Sequence, residues 1–109
     1  ASQLSHIPTA FICSRDSSAY QLLKILKEKN IRVPEDVSIT GFDDYILSSL
    51  CTPKITTYSI DVAKLTDSCI WLLLNRIAQP DRPLRHIVIS GKIMERDSVR
   101  TLSTNLEPR

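Results

Sequence analysis

The chain has very little glycine: two residues in 109, Gly41 and Gly91. A glycine-rich loop that cradles phosphate needs several glycines within a few positions, so that class of nucleotide site is excluded. The three cysteines, Cys13, Cys51 and Cys69, are odd in number and lack CxxC spacing. Neither a disulfide framework nor a zinc site is expected from them, and reduced thiols in a cytoplasmic setting fit best. No apolar run approaches the ~20 residues of a membrane span. Ala1-Ser2-Gln3-Leu4-Ser5-His6 has no basic stretch followed by an apolar one, so it does not read as a signal peptide. A charge excess is lacking too: 14 Lys and Arg face 12 Asp and Glu, a net +2. That balance does not by itself mark a nucleic-acid surface. An initiator Met is also missing, which suggests a piece of something longer.

What is present is ordinary globular composition, 42% hydrophobic and 24% charged. One core is expected, because a chain of this size buries about two-thirds of its unfolded surface. Pro8-Thr9-Ala10-Phe11-Ile12-Cys13 is a short apolar run bounded by polar residues and reads as a strand buried on both faces. Asp16, Ser17 and Ser18 then offer helix caps. Ala19, Leu22, Leu23 and Leu26 fall at i, i+3, i+4 and i+7, so an amphipathic helix follows and should stop near Asn30. Pro34 forbids helix continuation, and Val37, Ile39 and Gly41 alternate with Ser38 and Thr40 as a strand. Strand, helix and strand in this short span predict an α/β architecture with a right-handed βαβ unit and parallel strands.

Downstream, Asp43 to Leu50 reads as a short helix capped by one of its aspartates, and Ile55 to Ser59 as a strand. A long helix from about Val62 to Ile77, capped by Asp61, carries apolar side chains over an arc of roughly 200°. Such a helix should touch two layers or another chain. Trp71 lies opposite the centre of that arc and is either a surface residue or an interface anchor. Ile87-Val88-Ile89 opens a last strand that runs on toward Ile93-Met94, and the tail 101–109 carries little signal.

Asp16 and Asp43 each follow a predicted parallel strand, and ligands of open α/β sheets bind outside the carboxyl ends of such strands. The two carboxylates are therefore candidates to accept hydrogen bonds from a sugar hydroxyl. Helix capping is the safer local reading of both, and the two roles are compatible. Arg15 is either a solvated loop residue or a fork for a ligand carboxylate or phosphate. Phosphoryl transfer at Asp43 would need a partner lysine and a second acidic group, and neither is evident. His6 and His86 have no ligand spacing. No catalytic residue, cofactor or metal is expected.

Val33-Pro34-Glu35-Asp36-Val37-Ser38-Ile39-Thr40-Gly41-Phe42-Asp43-Asp44, followed by Pro53-Lys54-Ile55-Thr56-Thr57 and Arg96-Asp97-Ser98, resembles the C-terminal part of the effector-binding region of the lactose/galactose repressor (LacI/GalR) family. The resemblance covers residues 7–100. It implies a fragment of a type I periplasmic-binding-protein-like sugar-sensor fold, in a cytoplasmic, dimeric transcription regulator that is not an enzyme. It assigns Asp43, and with it Arg15 and Asp16, to the small-molecule effector. It assigns Tyr20, Leu23, Lys24, Leu47, Leu50 and Cys51 to dimer contacts. Asp44 becomes the likelier cap of the short helix. The DNA-binding headpiece and N-terminal lobe have no counterpart here, so operator DNA is expected only through a headpiece outside this chain. In the family the helix matching Asp61 to Ile77 packs mainly with that lobe, and alone this chain should self-associate. Gln21 and Thr66 stand where the family often has glycine, and Asn30 replaces a common capping glycine. Arg15 replaces a frequent asparagine or small residue, which leaves room for an anionic sugar derivative. A periplasmic-type sugar-binding protein and a phosphoryl-transfer enzyme using Asp43 are the alternatives.

Overall fold

A computed structural model describes residues 6–102. The first half forms the expected βαβ unit. Strand β1 (Ala10–Ile12), helix α1 (Asp16–Glu28) and strand β2 (Ser38–Thr40) follow in order. β1 and β2 pair in parallel, with Ala10 opposite Ser38 and Ile12 opposite Thr40. Ala19, Leu23 and Leu26 lie on one stripe of α1 and are buried with Val37, Ile39 and Ile55 in the core. α1 ends as its sequence suggests: Asn30 takes φ 58°, and the Ile31 amide donates back to the Leu26 carbonyl at 2.9 Å. That is the left-handed helix stop in which asparagine substitutes for glycine.

The second edge of β2 is closed by two distant segments. Ile39 N–H donates to the Ser98 carbonyl and Gly41 N–H to the Thr56 carbonyl, each at 2.9 Å. The fully buried Ser98 hydroxyl donates to the Ile39 carbonyl and accepts from the Thr56 amide. Arg96-Asp97-Ser98 therefore straps β2 to the residues that lead into strand β3 (Thr57–Ser59). Strand β4 (Lys92–Met94) pairs antiparallel with β3. Helix α2 (Ile46–Leu50) lies between β2 and β3 in sequence and packs on α1. Both glycines mark close approaches. A Cβ at Gly91 would stand 2.3 Å from the Ser59 carbonyl oxygen, and one at Gly41 would stand 2.0 Å from Oδ1 of Asp16.

Helix α3 (Val62–Ala78) is capped by Asp61, whose Oδ1 accepts from the Lys64 amide at 3.0 Å. The expectation that α3 touches two layers is not met within the described residues, because none of its side chains is buried. Val62, Leu73 and Ile77 are 60% or more exposed, and Trp71 is covered in part by the Arg85 guanidinium, 5.1 Å from its ring centre. The Cα radius of gyration is 19.2 Å, against about 13 Å for a compact chain of this length. One core does form, but it belongs to the first half and the closing strap.

Two other expectations need correction. β1 is not buried on both faces: Phe11 packs on the core, while Ile12 on the opposite face is 89% exposed. Ile87-Val88-Ile89 is not a strand, since the pairing to β3 begins only at Lys92. The tail 101–109 lies outside the described residues beyond Leu102, as do Ala1 to Ser5.

Candidate functional site

The carboxyl ends of β1 and β2 deliver Arg15 and the Gly41-Phe42-Asp43-Asp44 turn to the same end of the sheet. Asp43 and Asp44 both adopt positive φ, 100° and 55°. Consecutive non-glycine residues in this region store strain, which persists only where surrounding bonds over-determine the backbone. Here three amides in succession have fixed acceptors. Asp43 N–H donates to the Tyr58 carbonyl at 3.0 Å, Asp44 N–H to the Thr57 hydroxyl at 3.3 Å, and Tyr45 N–H to Oδ2 of Asp16 at 2.6 Å. The Asp43 side chain is left exposed.

The three carboxylates at this end differ in what they do. Asp16 is 1% exposed, and its other oxygen, Oδ1, accepts from the Thr57 hydroxyl at 2.7 Å. It does not cap α1, because the N-cap is Arg15 and Asp16 is the first helical residue. Both of its oxygens are engaged inside the protein, so Asp16 braces the Asp43 turn rather than standing free for a ligand.

Asp44 does not cap α2, whose N-cap is Tyr45 without a side-chain bond. Instead its Oδ1 receives the Arg96 guanidinium at 2.6 Å. Arg96 also donates to the Ser48 hydroxyl at 2.8 Å and the Ile55 carbonyl at 3.1 Å. Burial works against charge on Asp44, but Arg96 with the hydroxyls of Ser59 and Ser48 outweighs it and holds the carboxyl below its usual range. A carboxyl depressed in the folded state contributes stability above its unfolded pKa, and the contribution is lost as pH falls through the folded value. Urea midpoints measured from about pH 6 down to about pH 3 should therefore fall more steeply for the unchanged protein than for Asp44→Asn. Equal slopes would mean that the ion pair contributes nothing.

Arg15, Asp16, Ser17, Asp43 and Tyr45 line an open recess of about 320 Å3. Arg15 takes part in none of the ion pairs among the described residues, and neither does Asp43. Beside the recess in sequence, Phe42 stacks on Tyr58 with ring centres 5.3 Å apart. Neither the aromatic pair nor the Arg96–Asp44 bond is visible in the sequence, since their partners lie far apart along it.

Tyr20, Leu23, Lys24, Leu47, Leu50 and Cys51 come together with Lys27 and Thr52 around a second hollow of about 330 Å3 between α1 and α2. Leu23 belongs mainly to the core at 7% exposure, while Leu50 projects at 69%. Burial pushes the Cys51 thiol up, so it is less nucleophilic than a free thiol.

The periplasmic binding protein-like domain family matches residues 1–99. The chain belongs to this family. Within it, the resemblance to LacI/GalR regulators holds. The chain is 37% identical over 101 residues to the Probable HTH-type transcriptional repressor ExuR of Bacillus subtilis, covering 93% of this chain and 30% of that protein. It is 34% identical over 101 residues to the HTH-type transcriptional repressor PurR of Vibrio atlanticus, with the same coverage of 93% and 30%. A LacI family transcriptional regulator from Enterococcus faecalis, solved with bound ribose, superposes with a TM-score of 0.85 at 29% identity, over 91% of this chain and 37% of that one. The chain thus spans about a third of the length of these family members. No helix among the described residues is long and apolar enough to cross a membrane.

Proposed function

We propose that this chain is the C-terminal part of the effector-sensing region of a LacI/GalR-type transcriptional repressor, acting in the cytoplasm. The observation that carries the reading is the Asp43 turn: a strained, triply anchored backbone that holds a carboxylate with no ion-pair partner among the described residues at the carboxyl end of a parallel sheet. An ionised carboxylate in such a place accepts two oriented hydrogen bonds from a polyol. The ribose held by the Enterococcus faecalis relative supports a sugar-class ligand.

The two hollows share their helices. α1 follows its N-cap Arg15 at the recess and carries Tyr20 and Lys24 into the second hollow; α2 follows its N-cap Tyr45 at the recess and carries Leu47 and Leu50 there. Effector that engages Asp43 would favour one packing of α2 on α1, and thereby one geometry of a homodimer built on the second hollow. The uncovered apolar side of α3 would pack against the remaining lobe of the parent protein. DNA binding would belong to a headpiece outside this chain.

In the full-length parent, Asp43→Ala should abolish the effector-dependent change in operator affinity and weaken effector binding by about a hundred-fold, the scale of hydrogen bonds to a charged group. Operator binding without effector should stay as it is. An effector response that survives the substitution would remove Asp43 from the site.

A further inference from the structure

We infer that the effector carries an anionic group, a carboxylate or a phosphate, in addition to hydroxyls. The inference rests on the recess being the effector site and names the class of molecule it takes. Arg15 and Asp43 line the same recess, yet they are not within ion-pair distance of each other. Each is therefore available to a ligand. The other acids nearby are already committed: Asp16 to Tyr45 and Thr57, and Asp44 to Arg96. Arg15 thus has no internal carboxylate to neutralise it among the described residues. Its backbone is extended, φ −148° and ψ 154°, and it occupies the N-cap position of α1 without a side-chain cap bond. Its exposed side chain is therefore not tied into α1.

The two groups make opposite demands. A carboxylate accepts only, so Asp43 calls for ligand O–H groups; a guanidinium donates only, and its planar fork matches a carboxylate or phosphate in two parallel bonds. A neutral sugar meets the first demand and leaves the charge of Arg15 unmatched. A sugar acid or a sugar phosphate meets both. The charge on Asp43 would oppose an anion placed next to it, so the anionic group must sit at the Arg15 end of the molecule.

Titration calorimetry on the full-length protein with two matched pairs tests this: glucose against glucuronate, and ribose against ribose 5-phosphate. The carboxylate and phosphate arms separate the two sources of negative charge. One anion should bind at least about ten-fold more tightly than its neutral counterpart, as a charge-assisted pair would give. Arg15→Gln should remove that preference, bringing the anion's affinity to within about three-fold of its neutral counterpart's on the same variant, as expected where the charge-assisted pair is lost. The inference is overturned if neither anion outperforms its neutral partner, if neither binds, or if the preference survives Arg15→Gln. Asp43→Asn separates this from the underlying reading. If it weakens all binding while Arg15→Gln changes nothing, only the anion assignment fails; if it changes nothing, the recess is not the site and both fail.

Discussion

Asp16→Ala is expected to lower the unfolding free energy of the protein by about 3–5 kcal/mol, read from urea denaturation, the scale of removing one partner from a buried charged contact. Its carboxylate joins three elements: the start of α1, the amide of Tyr45 ahead of α2, and the hydroxyl of Thr57 in β3. Truncation leaves a cavity, an unpaired amide and a hydroxyl that has lost its acceptor. Asp16→Asn should cost about half as much, because its amide oxygen can still accept from Tyr45 while Thr57 turns to accept. The graded pair distinguishes a brace from a ligand contact. If Asp16→Ala leaves stability unchanged and removes only effector binding, the brace is wrong.

Gly41→Ala is the second large effect, about 3 kcal/mol, at the upper end of what overpacking costs. Its φ is not in the left-handed region, so the residue is required for space: the added Cβ would stand 2.0 Å from Oδ1 of Asp16 and 3.3 Å from its Cα. Oδ1 cannot swing aside without giving up Thr57. The two substitutions should therefore be strongly non-additive. In an Asp16→Ala background the Cβ of Ala at position 41 meets no carboxylate, and Gly41→Ala should cost less than about 1 kcal/mol more, the remainder appearing as coupling energy in a double-mutant cycle. Additive losses would show that Gly41 is constrained by something other than this contact.

The βαβ unit was legible because its signals are local: a helical period over Ala19 to Leu26, asparagine at the stop, and proline ahead of an alternating strand. The same holds for the Asp61 cap of α3. What failed were properties set by partners. A four-residue apolar run reads alike whether one face or both are covered, so the exposure of Ile12 had no counterpart in the sequence. Ile87-Val88-Ile89 has strand propensity, but a strand needs a ladder, and β3 pairs instead with Lys92 to Met94, where Gly91 allows the chain to approach Tyr58 and donate to its hydroxyl at 2.8 Å. The aspartates were the hardest. Asp16, Asp43 and Asp44 are chemically identical and all follow strand ends, yet one is a buried brace, one is exposed in the recess and one is an ion-pair partner. Arg96 decides the fate of Asp44 from 52 residues away, and no spacing rule reaches that far.

That distance also bears on how the molecule is made. The edge of β2 is closed by Ser98, which lies 59 residues after Ile39. On a ribosome the chain emerges from its N-terminus, so the βαβ unit is complete long before its strap exists. Until then the Ile39 amide and carbonyl lie on an open sheet edge, the kind of surface that pairs with stray strands. The nascent segment is thus most vulnerable in the interval between the appearance of β2 and that of the Arg96-Asp97-Ser98 strap.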